Sequence, residues 1–322
     1  GKENQWDIPD KTLLKNVTQL YLKRPLLSFD KLQKVLQSFD SLYHLRLNVI
    51  FTEIKKALLS TVCKIATLRI LDLSEIDLNN ETLKLAPCSQ LTVLDLSVCC
   101  ISELPKGSID SMKHLKSLNV SYNWLTKIPH DIRNLSSLAI LIINNNFISH
   151  LSCEDFVNTT RLTELHLNVN RITKLQRCVM ENLTNLKLLN LSDNLLVTFR
   201  AAIKVGLQKL EVLDISHNFI KLLDNGDLRG LKSLKYLNVT SDVMETVKYK
   251  TFFGLKNLQF LSGSFPFFYA NVRPLKELEN VQININYREP FQIPYSNSYE
   301  QTVQMKSLKS LSMACKSETS HV

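Results

Sequence analysis

Apolar residues recur along this chain in one short pattern. In the stretch LKLLNLSDNLL (186–196), leucines occupy the first, fourth and sixth positions, an asparagine the ninth and a leucine the eleventh. Alternate residues of a β-strand point to opposite faces, so Leu189 and Leu191 share one face and the spacing predicts a short strand with one buried side. The pattern returns with its first position at Val17, Leu42, Leu68, Leu91, Leu115, Leu138, Leu162, Leu186, Leu210, Leu234, Leu258, Leu278 and Leu308.

These thirteen repeats predict the architecture. Between Leu91 and Leu258 the first positions are 23 or 24 residues apart. A lone strand cannot bury its apolar side, whereas the parallel strands of consecutive repeats, stacked side by side, form a continuous core. We therefore predict an α/β solenoid, with a parallel sheet on one side and short helical or irregular segments on the other.

The asparagine at the ninth position is predicted to satisfy main-chain groups where the backbone leaves the sheet. A buried carboxamide both donates and accepts hydrogen bonds, and a buried group left unpaired costs about 1–3 kcal/mol. Five consecutive repeats carry this asparagine ladder, at Asn123, Asn146, Asn170, Asn194 and Asn218. Other residues mostly fill the position in the flanking repeats, namely Pro25, Ile50, Ile76 and Cys99 before the ladder and Asp242, Pro266, Asn286 and Lys316 after it. We expect regular repeats over 115–233 and irregular ones over 1–100 and 240–322.

The pattern LxxLxLxxNxL, with its best copies in LKSLNVSYNWL (115–125) and LEVLDISHNFI (210–220), resembles that of leucine-rich repeat proteins. The repeat length and tails such as FFGLKNL (252–258) are similar to the extracellular vertebrate class, above all Toll-like receptor ectodomains. The resemblance covers nearly the whole chain. It implies a horseshoe-shaped solenoid, a single leucine-rich repeat domain over 1–322 with the sheet on its concave face, recognition of a microbial ligand, and signalling by receptor homo- or heterodimers.

Cysteine-rich caps usually close the repeats of extracellular members, and neither end of this sequence shows one. We therefore expect a fragment of a larger ectodomain, with no transmembrane or signalling domain in it, so that any contact with a membrane depends on a further C-terminal segment. The expected location is the extracellular or endosomal-lumenal side of a membrane receptor.

Cysteine spacing predicts two disulfides. Cys63 and Cys88 are 25 residues apart, as are Cys153 and Cys178, and each pair occupies matching positions of adjacent repeats. Such positions lie about 5 Å apart, within reach of a disulfide. Two such pairs indicate an oxidising compartment, although a cytosolic protein with seven reduced cysteines remains the alternative. Cys99 is expected to be a buried structural thiol.

Glycosylation sequons favour the same compartment. We predict modification at Asn16, Asn80, Asn134, Asn158 and Asn182. The last three lie four residues before consecutive repeats begin, so their sugars would form a column along one side of the solenoid. The partner surface is then expected on the other side.

The charge distribution and the candidate catalytic residues limit the functions that the chain can have. The net charge of +9 comes from 39 basic residues scattered among 30 acidic ones, which does not argue for a nucleic-acid partner, although none is excluded. If the ligand is an anion, the basic stretch 229–256 is the candidate, with Arg229, Lys232, Lys235, Lys248 and Lys250. Glu164 and His166 lie side by side on one strand, and a solvated pair is favoured over a catalytic one. We expect no enzyme activity, cofactor or metal.

Three functions stay open. The first is a pattern-recognition receptor ectodomain of the Toll-like receptor type, acting in innate immunity. The second is an intracellular scaffold or adaptor, because Leu104-Pro105 and Ile128-Pro129 are similar to cytosolic leucine-proline repeats. The third is an extracellular adhesion protein. The 30-residue interval from Leu278 to Leu308 contains a polar, proline-marked segment at 287–295, which is either a functional loop or a tolerated insertion.

Overall fold

The structure is a computed structural model that describes residues 11–23, 28–48, 55–78, 85–199, 207–264, 275, 277–286 and 309–316. The chain divides into two compact units, residues 1–142 and 143–322, and each is described by itself. The prediction of one domain over 1–322 stays a prediction. Asn80, Pro25, Ile50, Pro266 and the segment 287–295 lie outside the described residues.

The first unit is a parallel sheet in which each strand pairs with the next one along the chain. Its strands are β1 (Gln19–Lys23), β2 (His44–Asn48), β3 (Ile70–Asp72), β4 (Val93–Asp95), β5 (Ser117–Asn119) and β6 (Ile140–Ile142). α1 (Lys11–Leu14) precedes β1. The segments between strands contain α2 (Phe29–Gln37), α3 (Lys55–Val62) and 3-10 turns at Ala86–Cys88 and His130–Asn134.

The second unit repeats this arrangement, with strand order β7-β8-β9-β11-β13-β14-β15 and a separate pair β10-β12. Its strands are β7 (Glu164–His166), β8 (Leu188–Asn190), β9 (Val212–Asp214), β10 (Leu222–Leu223), β11 (Tyr236–Asn238), β12 (Thr246–Val247), β13 (Phe260–Ser264), β14 (Asn280–Asn286) and β15 (Ser310–Lys316). Its described helix is α4 (Arg177–Glu181).

The predicted strands and their register are confirmed. Each of the thirteen repeats places a sheet strand that begins two residues after its first position. Leu189 and Leu191 are fully buried, as are their counterparts in neighbouring repeats. Burying one such side chain contributes about 1.5–3 kcal/mol, so the stacked leucines supply the main stabilising free energy of the solenoid.

The sheet strands differ in length between the middle and the flanks. The strands β3 to β9 and β11 have three residues each, whereas β1, β2 and β13 have five and β14 and β15 seven. The asparagine ladder lies within the part of the chain that has the short strands. Among the described residues, no helix is long and apolar enough to span a bilayer.

Candidate functional site

A residue with left-handed backbone conformation follows most of the short strands, three residues after the strand ends. It stands directly before the ninth position, for example Val169, Asp193 and His217, with φ of 54°, 54° and 52°. This conformation is uncommon outside glycine. It persists because hydrogen bonds hold the turn, and the Asp193 amide donates to the Ser216 carbonyl at 3.0 Å.

The five ladder asparagines hold these turns. All are between 2% and 8% exposed. Asn170 shows the geometry, since its Nδ2 donates to the carbonyls of Ile143 and Leu167, both at 3.1 Å, while its Oδ1 accepts the Ile148 amide at 3.0 Å. One side chain therefore connects the turn of its own repeat to the preceding coil.

Before the ladder, a thiol fills the ninth position. Cys99 is buried, and its Sγ donates to the carbonyls of Leu73 at 3.1 Å and Ser97 at 3.3 Å. Burial raises the pKa of the Cys99 thiol to about 12, so the donor proton is retained at neutral pH. The expected structural role of Cys99 follows from this geometry.

In the repeats after the ladder, serine hydroxyls form hydrogen bonds with main-chain groups. Ser241 Oγ donates to the Asn218 carbonyl at 2.9 Å, and the Ser241 amide donates to Ser264 Oγ at 2.8 Å. Both serines are buried. These hydroxyls occupy neighbouring positions rather than the ninth one, so sequence reasoning built on the asparagine alone missed them.

In the second unit, exposed apolar side chains lie beside the ladder asparagines, at the edge of the sheet where the strands end. They occupy the eighth, tenth or twelfth positions of successive repeats, between 39% and 64% exposed. We define the apolar edge as Phe147, Val169, Leu195, Val197 and Phe219. Arg171 stacks its guanidinium over Phe147 at 4.4 Å from the ring centroid. Repeats are about 5 Å apart, which makes these residues a row rather than scattered surface leucines.

Sequence reasoning missed this row because it used only the pattern residues. Its signal is nevertheless in the sequence, as apolar residues at positions that the pattern leaves free. In the first unit, the equivalent eighth and tenth positions also hold the exposed residues Val98, Tyr122 and Trp124.

The exposed face of the sheet offers little catalytic chemistry. Glu164 and His166 lie 3.7 Å apart and are both partly exposed. No group of three or more potential metal ligands occurs among the residues that the structure describes. The pair therefore has the geometry of a solvated polar pair.

The five basic residues proposed as an anion site are all exposed, but they differ in whether they form an ion pair. Lys235 donates to Glu211 at 2.7 Å, and this hydrogen bond and charge lower the pKa of Glu211. Arg229, Lys232 and Lys248, like Lys250, make no ion pair within the described part of the chain. Lys235 is thus the candidate whose charge is already neutralised.

The cysteine pairs are brought together as disulfides. Cys63 bonds Cys88 with their Cα atoms 4.5 Å apart, and Cys153 bonds Cys178 with 5.1 Å between Cα atoms. Within the described residues, Cys99 is a buried free thiol and Cys100 a half-buried one.

The described sequons lie on the surface to different extents. Asn16 and Asn158 are exposed, while Asn134 and Asn182 are half-buried. Asn134, Asn158 and Asn182 precede the strands, whereas the apolar edge follows them. Within the second unit the strands are parallel, so Asn158 and Asn182 lie at the edge of the sheet opposite the apolar edge.

The repeats match a family model described as Leucine rich repeat at residues 89–148, 160–218 and 208–262, slightly more than half of the chain. Over 70 residues the chain is 41% identical to Toll-like receptor 6 of Dasypus novemcinctus, covering 22% of this chain and 8% of that protein. Over 93 residues it is 33% identical to human Toll-like receptor 6, covering 29% and 11%. The matched stretches thus span only about a tenth of these relatives' length.

Among solved structures, the chain is similar to a TLR13–ssRNA13 complex, with a TM-score of 0.73 and 23% identity over 94% of this chain and 44% of that one. It is also similar to a Leptospira interrogans LRR protein, with a TM-score of 0.68 and 22% identity over 92% and 72% of the two chains. At these identities the likeness shows the fold alone. With its stacked parallel strands and matched repeats, the chain belongs to the leucine-rich repeat family and resembles a Toll-like receptor ectodomain.

Proposed function

We propose that this chain is the non-catalytic recognition part of a pattern-recognition receptor of the Toll-like receptor type, which binds a microbial ligand in innate immunity. The apolar edge is the observation that carries the proposal. Its five side chains present on the order of a few hundred Å² of apolar surface, the size of the largest patch on a typical soluble protein, and such a patch is often functional.

The placement of this surface supports recognition of a partner. Within the second unit it lies at the edge of the sheet opposite the sequons Asn158 and Asn182, so sugars there would leave it open. Rigid ladder turns position it, which reduces the entropy lost on binding. The partner is a microbial ligand or the second chain of a receptor homo- or heterodimer.

A single-stranded RNA is the second candidate ligand. The solved TLR13 is in complex with ssRNA13, and Arg229, Lys232, Lys248 and Lys250, which form no ion pair with any residue that the structure describes, offer charge for phosphates. In this case binding would weaken steeply with salt, because each phosphate contact releases counterions.

The apolar edge is tested with secreted protein and two immobilised probes, a bacterial envelope lipid extract and a 13-nucleotide single-stranded RNA. Phe219→Asp places a charge in the apolar edge, and Val157→Asp is the matched control, since Val157 is 42% exposed and lies outside this edge. We expect binding of the lipid extract, at least tenfold weaker in Phe219→Asp and unchanged in Val157→Asp. Binding of the RNA alone, unchanged in both variants, would instead support the second candidate ligand. Binding of neither probe, or equal losses in both variants, would contradict the proposal.

The compartment has its own test. A lumenal or extracellular receptor with the two disulfides has three free thiols out of seven cysteines when unfolded without reductant. An intracellular scaffold has seven. Thiol titration of protein from its native cells therefore separates the two functions.

A further inference from the structure

A groove opens on the exposed face of the sheet in the first unit. Side chains of β1 and β2, together with residues of β3 and the turn after it, line this open groove, whose volume is about 390 Å³. Ligand pockets begin at roughly 300 Å³, so the groove has room for a small molecule. None of its residues belongs to the apolar edge or to the basic stretch.

Strand register sets the arrangement. Tyr21 on β1 lies beside Arg46 on β2, which lies beside Asp72 on β3. These are alternate positions to the buried leucines, so the three side chains form a row on the outward face. An aromatic ring, a cation and a carboxylate thus follow one another across the sheet.

The polar groups of this row are held in place by each other. Arg46 Nε lies 3.2 Å from the Asp72 carboxylate and Arg46 Nη2 donates to Ser74 Oγ at 3.3 Å. Glu75 lies 3.7 Å from Arg46 and accepts a hydrogen bond from Asn48 Nδ2 at 3.3 Å. Donors and acceptors are therefore oriented before any ligand arrives, which lowers the entropic cost of binding.

The aromatic residue of the groove, Tyr21, is also held by contacts with its neighbours. The ring of Tyr21, at 56% exposure, meets the ring of His44 edge-to-face with centroids 5.1 Å apart. Its hydroxyl donates to Gln19 Oε1 at 2.8 Å and lies 3.2 Å from His44 Nδ1. The ring is a rigid, solvent-accessible platform.

Charge selects the ligand class. Among its described residues the groove holds two cations, Lys23 and Arg46, and two carboxylates, Asp72 and Glu75, so these charges cancel. An anion drawn to Lys23 meets the carboxylates, and a cation meets Arg46. A neutral polyhydroxylated molecule instead uses donors and acceptors together, while its C–H face packs on the aromatic ring.

We propose that this groove is a carbohydrate subsite, which binds a neutral pyranose with its C–H face on Tyr21 and its hydroxyls on Arg46, Asn48, Asp72 and Glu75. The proposal does not depend on the receptor function, because it uses no residue of the apolar edge.

The test is saturation-transfer difference NMR on the 322-residue chain with methyl α-D-mannopyranoside, methyl β-D-galactopyranoside and N-acetylglucosamine, and sodium phosphate as the anionic probe. We expect at least one sugar to bind with a Kd on the order of 1 mM, which suits an open, solvated groove. Excess phosphate should leave the signal unchanged. No sugar signal from folded protein, or a signal that phosphate displaces, would overturn the proposal.

Variants locate the site. Tyr21→Ala should weaken sugar binding about tenfold, whereas Tyr21→Phe keeps the platform and should stay within about twofold. Tyr122→Ala is the matched control, because Tyr122 is equally exposed but lies outside the groove. If Tyr21→Ala does not fold, Glu75→Gln takes its place and should weaken binding at least about threefold. Equal losses in the Tyr122→Ala control would refute the assignment.

Discussion

Replacing one ladder asparagine by leucine tests the architecture most directly. Asn194 is 3% exposed, and its Nδ2 donates to the carbonyls of Leu167, Leu191 and Ser192 at 3.0–3.1 Å, while its Oδ1 accepts the Ile172 amide at 3.0 Å. The substitution Asn194→Leu removes all four hydrogen bonds and keeps a side chain of similar size.

Most of the expected loss of stability comes from one main-chain group, the amide of Ile172. Each of the three carbonyls keeps a second donor, since a neighbouring asparagine or a main-chain amide also reaches it. The Ile172 amide has no other partner among the described residues. An unsatisfied buried amide costs about 1–3 kcal/mol, and the weakened carbonyl bonds add a smaller amount that leucine burial partly offsets. We expect a loss of about 2–3 kcal/mol in the free energy of unfolding.

Urea denaturation followed by circular dichroism measures this loss, with the slope of the transition compared between variants. The control is Asn168→Leu, the same substitution at a half-exposed position of the preceding repeat, expected to change stability by no more than about 0.5 kcal/mol. Equal midpoints for Asn194→Leu, the control and the unmodified chain would refute the ladder as a source of stability.

Three further predictions concern the thiols, the ion pair and the disulfides. With a pKa of about 12, the Cys99 thiol forms about a thousandfold less thiolate at pH 8 than an ordinary cysteine, so iodoacetamide should label Cys100 before Cys99 in folded protein, as read by tandem mass spectrometry; equal labelling of these two thiols would contradict the burial. Because Lys235 lowers the pKa of Glu211, Lys235→Ala should raise it towards 4.5 in an NMR titration, and an unchanged pKa would show that no such bond forms. In the unmodified chain, the contribution of this pair to stability is present above pH 4.5 and lost as pH falls through the lowered pKa. Cys178→Ser opens a disulfide across 25 residues and should cost about 3 kcal/mol in thermal or urea unfolding, whereas no loss would mean that the bond is absent in solution.

The sequence by itself determined the repeating architecture. Leucine spacing of two within a strand and of 23 or 24 between strands leaves one way to bury the apolar side, which is parallel stacking. For the same reason the strand positions, the fully buried Leu189 and Leu191, and the cysteine pairs at matching positions could be predicted without coordinates. Each of these depends on residues whose neighbours are set by the repeat itself.

Only the tertiary structure decided what the surface can do. The apolar edge becomes a row because left-handed turns bring free positions of successive repeats together, and the groove at Tyr21, Arg46 and Asp72 exists only through the register of three strands. Likewise, Ser241 and Ser264 end the ladder through hydrogen bonds between residues 23 positions apart. The pattern specifies which side chains are buried. Exposed side chains acquire a function through their neighbours in other coils, and the pattern does not specify the residue types at these exposed positions.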